Sequence, residues 1–107
     1  MSSPADTLAA PADDAARYGA FDRTLRTRLL ATLDGLRGGE LVVRDALGEV
    51  VLGERGAALR AELDILDPGF YRAAAAQGSV GAGEAYMDGL WRCDDLVALV
   101  QLLVINR

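Results

Sequence analysis

Residues 83–95 read GEAYMDGLWRCDD and bring four carboxylates, the single tryptophan and the single cysteine into thirteen positions. Carboxylates at that density could supply a general acid and a general base, or hold a hard cation such as magnesium or calcium. Cys93 adds a thiol that could ligate zinc. The spacing argues against each. The chain has no histidine, so zinc at Cys93 would need three further ligands from carboxylates. A calcium loop needs alternating aspartates, a glycine and a closing glutamate, and that pattern is absent. Glu84 and Asp88 lie four apart on one helical face, but Asp88 precedes the helix-ending Gly89, and Asp94-Asp95 stand where helix N-caps belong. Each carboxylate therefore has a structural task. No catalytic, cofactor-binding or metal-ligating residue is expected in this chain.

The glycines at 78, 81 and 83 invite a phosphate-cradling reading. A phosphate loop follows a buried apolar strand, whereas these follow AAAAQ, the end of a helix, and no G-x-G-x-x-G fits across them. A tight corner between two helices is the better account.

The elements that must position this stretch are legible in the hydrophobic pattern. From Asp14 to Leu36, Tyr18, Phe21, Leu25, Leu29, Leu33 and Leu36 recur at three and four, which predicts a helix. Arg23 and Arg26 flank that stripe on one side, Arg17 and Arg28 on the other. They are either the solvated margins of a packed helix or cations lying on a membrane surface. After Gly38-Gly39, the runs at 40–45 and 49–54 read as a hairpin, and Leu59 to Ile65 alternates strictly as a third strand with one covered face. Asp67-Pro68 opens a helix that runs to Gly78. Ser79 then caps a second short helix ending at Gly89. LWRC (90–93) is a brief extended piece, and Asp94 or Asp95 opens a last helix. Between Leu96 and Ile105 only Gln101 is polar. That segment is too short for a bilayer, which needs about 20 residues. A helix apolar nearly all round must be buried, so a covering partner is expected. The expected fold is α+β, a small antiparallel sheet (hairpin plus one or two strands) packed with about four helices.

Composition narrows the functions. At 107 residues the chain holds one domain, with residues 1–13 a disordered lead-in and 14–107 the folded unit. A net charge of −5 disfavours nucleic acid as a partner. All eleven cations are arginine, which reads as a compositional bias and carries no functional inference. The N-terminus lacks the basic and apolar regions of a signal peptide. A lone cysteine excludes an internal disulfide and fits the cytoplasm.

DPGFYRAAAAQGSVGAGEAYMDGLWRCDDLVALVQLLVINR (67–107) closely resembles the N-terminal domain of cyclopropane-fatty-acyl-phospholipid synthases, S-adenosylmethionine-dependent methyltransferases acting on membrane lipids. The likeness rests on Phe70, Tyr71, Gly78, Ser79, Gly81, Gly83, Glu84, Tyr86, Met87, Asp88, Gly89, Trp91, Cys93 and Asp94 at the family's spacings. The hairpin region fits moderately, and the first 37 residues hardly bear on it. The family's methyl-donor-binding glycine loop and its catalytic residues have no counterpart here, so none is carried over. The resemblance implies a non-catalytic accessory domain that engages phospholipid at the inner membrane face and packs against a methyltransferase domain, in the same or a separate chain. S-adenosylmethionine would belong to that parent enzyme. Tyr86, Met87, Trp91, Leu99 and Leu103 are the candidate lipid or interdomain contacts. The order of elements also looks sterol-carrier-protein-like, and a free-standing lipid-binding module is the alternative reading.

Overall fold

The computed structural model describes residues 15–106. The expected lead-in lies outside them, as do Asp14 and Arg107. The elements run α1 (Ala20–Leu33), β1 (Glu40–Asp45), β2 (Gly48–Gly53), β3 (Arg60–Ile65), α2 (Gly69–Met87), β4 (Trp91–Cys93) and α3 (Leu96–Ile105). This is the expected α+β fold. The strands form one sheet in the order β2-β1-β3-β4.

The sheet is mixed, which corrects the wholly antiparallel expectation. β1 pairs antiparallel with β2 but parallel with β3, and β4 returns antiparallel to β3. The loop after β2 explains this. Glu54 N–H donates to Gly39 O, and Glu40 N–H donates to Leu59 O, so residues 54–59 wrap around the start of β1. That path delivers β3 to the free edge of β1. Alternation reports which face of a strand is covered, but says nothing about its neighbour.

One sheet face carries the core. Leu41, Val43, Leu52, Ala61, Leu63, Ile65 and Trp91 form a single buried cluster with Leu30 of α1, Phe70, Tyr71 and Ala85 of α2, and Ala98, Leu99 and Leu102 of α3. The other face is a lattice of charge. Arg60 pairs with Glu40 and Glu62, and Arg44 with Glu62, Asp64 and Glu49. Exposed pairs of this kind add little stability, but they keep the helix-free face wet.

α1 departs from its predicted outline. It begins at Ala20 because Gly19 is the extended N-cap residue and donates its N–H to Asp22 Oδ2 at 3.0 Å. Tyr18 therefore precedes the helix yet remains buried. Phe21, placed in the stripe by periodicity, is 64% exposed, and Leu30 takes the inward position. Arg26 is no surface flank either, since its Nε reaches the fully buried carboxylate of Asp45 at 2.6 Å. Arg23 Nε donates to Tyr18 O and Arg17 pairs with Asp67.

α2 breaks where the sequence said it would. Gly78 has φ 56° and ψ −130°, a conformation open to glycine alone, and it divides the element into two helical segments. Counted so, four helical segments among the described residues pack on the sheet, as expected. The first begins one residue beyond Pro68, with Asp67 Oδ1 accepting from Gly69 N–H at 2.7 Å. The break comes from the Gly78 backbone and not from a Ser79 cap.

A buried acid joins α1 to α2. Asp22, 1% exposed, accepts from Arg72 Nε at 2.6 Å and Arg72 Nη2 at 3.0 Å. The Arg72 hydrogen bonds hold its carboxyl below the usual carboxylate range, against the opposing effect of burial. Stability gained this way is complete above the unfolded-state value near 3.9 and is lost as pH falls through the lower folded value. The melting temperature of the Asp22→Asn variant should therefore fall less than that of the wild type between about pH 5 and about pH 2.5. Parallel acid limbs in the two sets of thermal melts would show that the pair contributes nothing pH-dependent.

Candidate functional site

The sequence from Ala73 to Gly83 is almost free of bulky side chains. On a helix facing a core, such small residues leave volume unfilled. α1 packs against α2 through the Asp22–Arg72 pair, while α3 lies over β3. Between them an apolar groove of about 410 Å³ opens. Its floor is Leu41, Leu63, Phe70 and Trp91. Leu29 and Leu33 of α1 form one wall, with Ala74, Ala82 and Gly83 of α2, and Leu96, Leu99, Val100 and Leu103 of α3 stand opposite. Ser79 carries the one side-chain hydroxyl on the lining. The volume lies within the range of small-ligand sites, and the lining suits hydrocarbon.

Aromatic rings organise the floor. Tyr18, Tyr71, Phe70, Trp91 and Tyr86 form a continuous row with ring centroids 5.1–6.1 Å apart. Trp91 is fixed in this row because its Nε1 donates to Ala82 O at 2.8 Å, a bond from β4 to the second segment of α2. The indole face is thus available to the groove while its polar edge is satisfied.

Three of the five predicted contacts, Trp91, Leu99 and Leu103, meet at this groove. Tyr86 and Met87 do not. Tyr86 packs its ring on Trp91 at 5.1 Å, and Met87, 78% exposed, ends α2 facing solvent. The α1 leucines and the small residues of α2 were missed as site residues. Periodicity marked Leu29 and Leu33 as core, and the alanine-glycine run was the one available hint of a concavity.

The carboxylates of GEAYMDGLWRCDD are dispersed into separate tasks. Asp95 Oδ1 caps α3 by accepting from Ala98 N–H at 3.0 Å. Asp94 Oδ1 accepts from Glu62 N–H at 2.7 Å and ties this turn to β3. Asp88 is the C-cap of α2, before Gly89 at φ 78°, and Glu84 is exposed. Among the described residues, no three metal-ligating side chains are grouped. Burial pushes the Cys93 thiol up, so little thiolate forms at neutral pH.

A second, polar cavity of about 300 Å³ lies at the ends of β1 and β3, lined in part by Tyr18, Arg44, Asp45 and Asp64. Its charges are already matched within the protein. Asp45 accepts from Arg26, from Tyr71 Oη at 2.6 Å and from Leu47 N–H at 2.9 Å, and Arg44 Nε donates to Asp64 at 3.1 Å. Burial raises the Tyr71 phenol well above its ordinary value, and its bond to Asp45 adds to this, so it stays a neutral donor. No helix of the described residues is long and apolar enough to cross a membrane.

Comparison with known proteins gives a partial likeness. The chain is 44% identical over 36 residues to cyclopropane-fatty-acyl-phospholipid synthase of Escherichia coli strain K12, a stretch covering 34% of this chain and 9% of that protein. The synthase of Escherichia coli O6:H1 gives the same identity over the same shares. The likeness thus spans under a tenth of the length of these relatives. No protein-family profile matches the chain, and no solved structure matches it.

Proposed function

We propose that the chain is a non-catalytic, lipid-engaging domain of an S-adenosylmethionine-dependent methyltransferase that modifies unsaturated phospholipid acyl chains. The observation that carries the reading is the open groove lined by hydrocarbon, in a chain with a segment similar to a phospholipid-modifying synthase. In this reading one acyl chain lies between α2 and α3, over Trp91, while the headgroup stays in water. The methyl donor and the reacting groups belong to a methyltransferase domain of the same or a separate chain. Such a domain works at the inner membrane face as a peripheral component.

The supporting chemistry is a division of labour. The groove offers dispersion contacts and exclusion of water, worth about 0.8 kcal/mol for each methylene buried. It offers no charged group to a reacting centre, and the carboxylates nearest in sequence are committed to caps and strand ties.

Trp91 is the only tryptophan and lines the groove, so it reports occupancy directly. Titration with phosphatidylglycerol vesicles whose acyl chains carry bromine should quench its fluorescence saturably. Gly83→Leu should weaken that quenching about tenfold or more with the far-ultraviolet dichroism unchanged. Gly83 is on the groove lining and a Cβ there would meet nothing within 4 Å, so the added side chain takes up open space at the groove without pressing on the backbone. Equal quenching in wild type and variant would remove the groove as the lipid site. Calorimetry with S-adenosylhomocysteine should show no binding, and a saturable isotherm would overturn the division of labour.

A further inference from the structure

The Asp45 carboxylate is saturated. A carboxylate offers about four lone-pair positions, and four donor atoms reach this one: Arg26 Nε at 2.6 Å, Arg26 Nη2 at 3.3 Å, Tyr71 Oη at 2.6 Å and Leu47 N–H at 2.9 Å. Tyr18 packs its ring beside Tyr71, with centroids 6.1 Å apart, but takes no part in this arrangement. It is 5% exposed, and its hydroxyl is the one buried side-chain polar group among the described residues with no hydrogen-bond partner. Native proteins seldom leave such a group unpaired, because its lost hydration is not replaced. Burial, with the Asp45 charge nearby, raises the phenol well above its ordinary value. Tyr18 Oη therefore keeps its proton and is a donor without an acceptor.

Tyr18 lines the polar cavity of about 300 Å³ at the ends of β1 and β3. Buried Ile65 and Pro68 line it with the tyrosine, and exposed Leu66 stands at its rim. Ions fit poorly there. An anion would meet Asp45 and Asp64, a cation would meet Arg17 and Arg44, and each of these already pairs with an opposite charge of the protein. A ligand hydroxyl or N–H would bring a donor of its own, and Asp45 has no lone pair left to receive it. Water would satisfy the phenol but leave the hydrocarbon of Ile65 and Pro68 wet, whereas a carbonyl bearing alkyl groups serves both.

We propose that this cavity is a second binding site, for a small uncharged ester or ketone whose carbonyl oxygen accepts from Tyr18 Oη and whose alkyl groups rest on Ile65 and Pro68. The site does not rest on the lipid reading of the apolar groove. The two share the aromatic row, with Tyr18 at the cavity and Phe70 and Trp91 at the groove, so Tyr18 and Trp91 report on them separately.

Nuclear magnetic resonance of the chain, isotope-labelled at tyrosine ring carbons and isoleucine methyls and titrated with ethyl acetate, tests this. The Tyr18 Cζ and Ile65 methyl signals should shift together and saturate. Sodium acetate and ethylammonium chloride, similar in size but charged, should shift neither. Tyr18→Phe should weaken ester binding, read at Ile65, about fivefold or more, the scale of one hydrogen bond. That variant should melt no lower than the wild type, since it deletes a hydroxyl that the free protein leaves unpaired. A variant melting well below the wild type would show the hydroxyl already partnered and overturn the premise. Ester shifts at Trp91 without saturation at Tyr18, or an equal response to acetate, would overturn the site and leave the groove reading untouched.

Discussion

Gly81→Ala should unfold the protein at temperatures where the wild type is intact, with a loss of at least about 3 kcal/mol. A Cβ built on Gly81 would stand 2.0 Å from the carbonyl oxygen of Ala73 and 2.7 Å from its carbonyl carbon. Those atoms belong to the first segment of α2, against which the second folds back after Gly78. Backbone on both sides leaves no side chain to move aside, so relief requires opening the corner. That opening would pull Ala82 away from Trp91 and separate Ala85 from the core. The neighbouring Gly83 provides the contrast, since its Cβ would meet nothing within 4 Å. Gly83→Ala should be neutral or stabilising by about 1 kcal/mol, through helix propensity alone. Thermal melts would separate the pair by on the order of 15 °C for a domain of this size. If the two alanine variants melt together, the corner is not as close as the structure has it.

Asp45→Ala should cost about 3 kcal/mol, the scale of breaking a buried ion pair on one side. The Asp45 carboxylate is fully buried at the end of β1 and receives donors from three elements: Arg26 of α1, Tyr71 of α2 and the Leu47 N–H of the hairpin turn. Removing the carboxylate leaves the Arg26 guanidinium and the Tyr71 hydroxyl without their acceptor in a largely buried site. The loss belongs to the unpaired groups more than to the pair itself, and a second substitution shows which. Arg26→Met in the Asp45→Ala background should return part of the stability, because the orphaned charge goes with it. Denaturant melts of the four members of this cycle supply the measurement. Strictly additive losses would mean that Arg26 and Asp45 are not coupled.

Much of the α+β architecture could be read from residue order. The hairpin was visible as two β-branched runs about a short turn, and the structure sets Asp45 opposite Gly48 across it. The third strand was visible as alternation, and Ala61, Leu63 and Ile65 are its buried side. Gly78 and Gly89 marked helix ends because a positive φ is cheap only for glycine, and both residues have one. The reassignment of Asp88 and Asp95 from chemistry to helix caps also followed from position alone, whereas Asp94, read as a cap residue, instead ties to Glu62 of β3 thirty-two positions away.

Other features depended on residues far apart in the chain. Arg26 looked like a surface cation because periodicity records where a side chain points along its own helix. Its partner Asp45 lies nineteen positions away and is brought in by the packing of α1 on the sheet. Phe21, in the first turn of α1, is exposed, while Leu25, Leu29 and Leu33 of the same stripe pack against the core, because how far the core extends along a helix is set by the elements it meets. β3 joined β1 in parallel because a loop wrapped round a strand end, a path that no local pattern encodes.

GEAYMDGLWRCDD thus stands as a joint whose residue types sufficed to name its turns and caps: local hydrogen bonds and glycine dihedrals are short-range, and sequence holds them entire. The groove above it is different in kind. It arises from what small side chains on α2 fail to fill once α1, α3 and the sheet have closed around them. A void has no residue of its own, so only the assembled packing could reveal it.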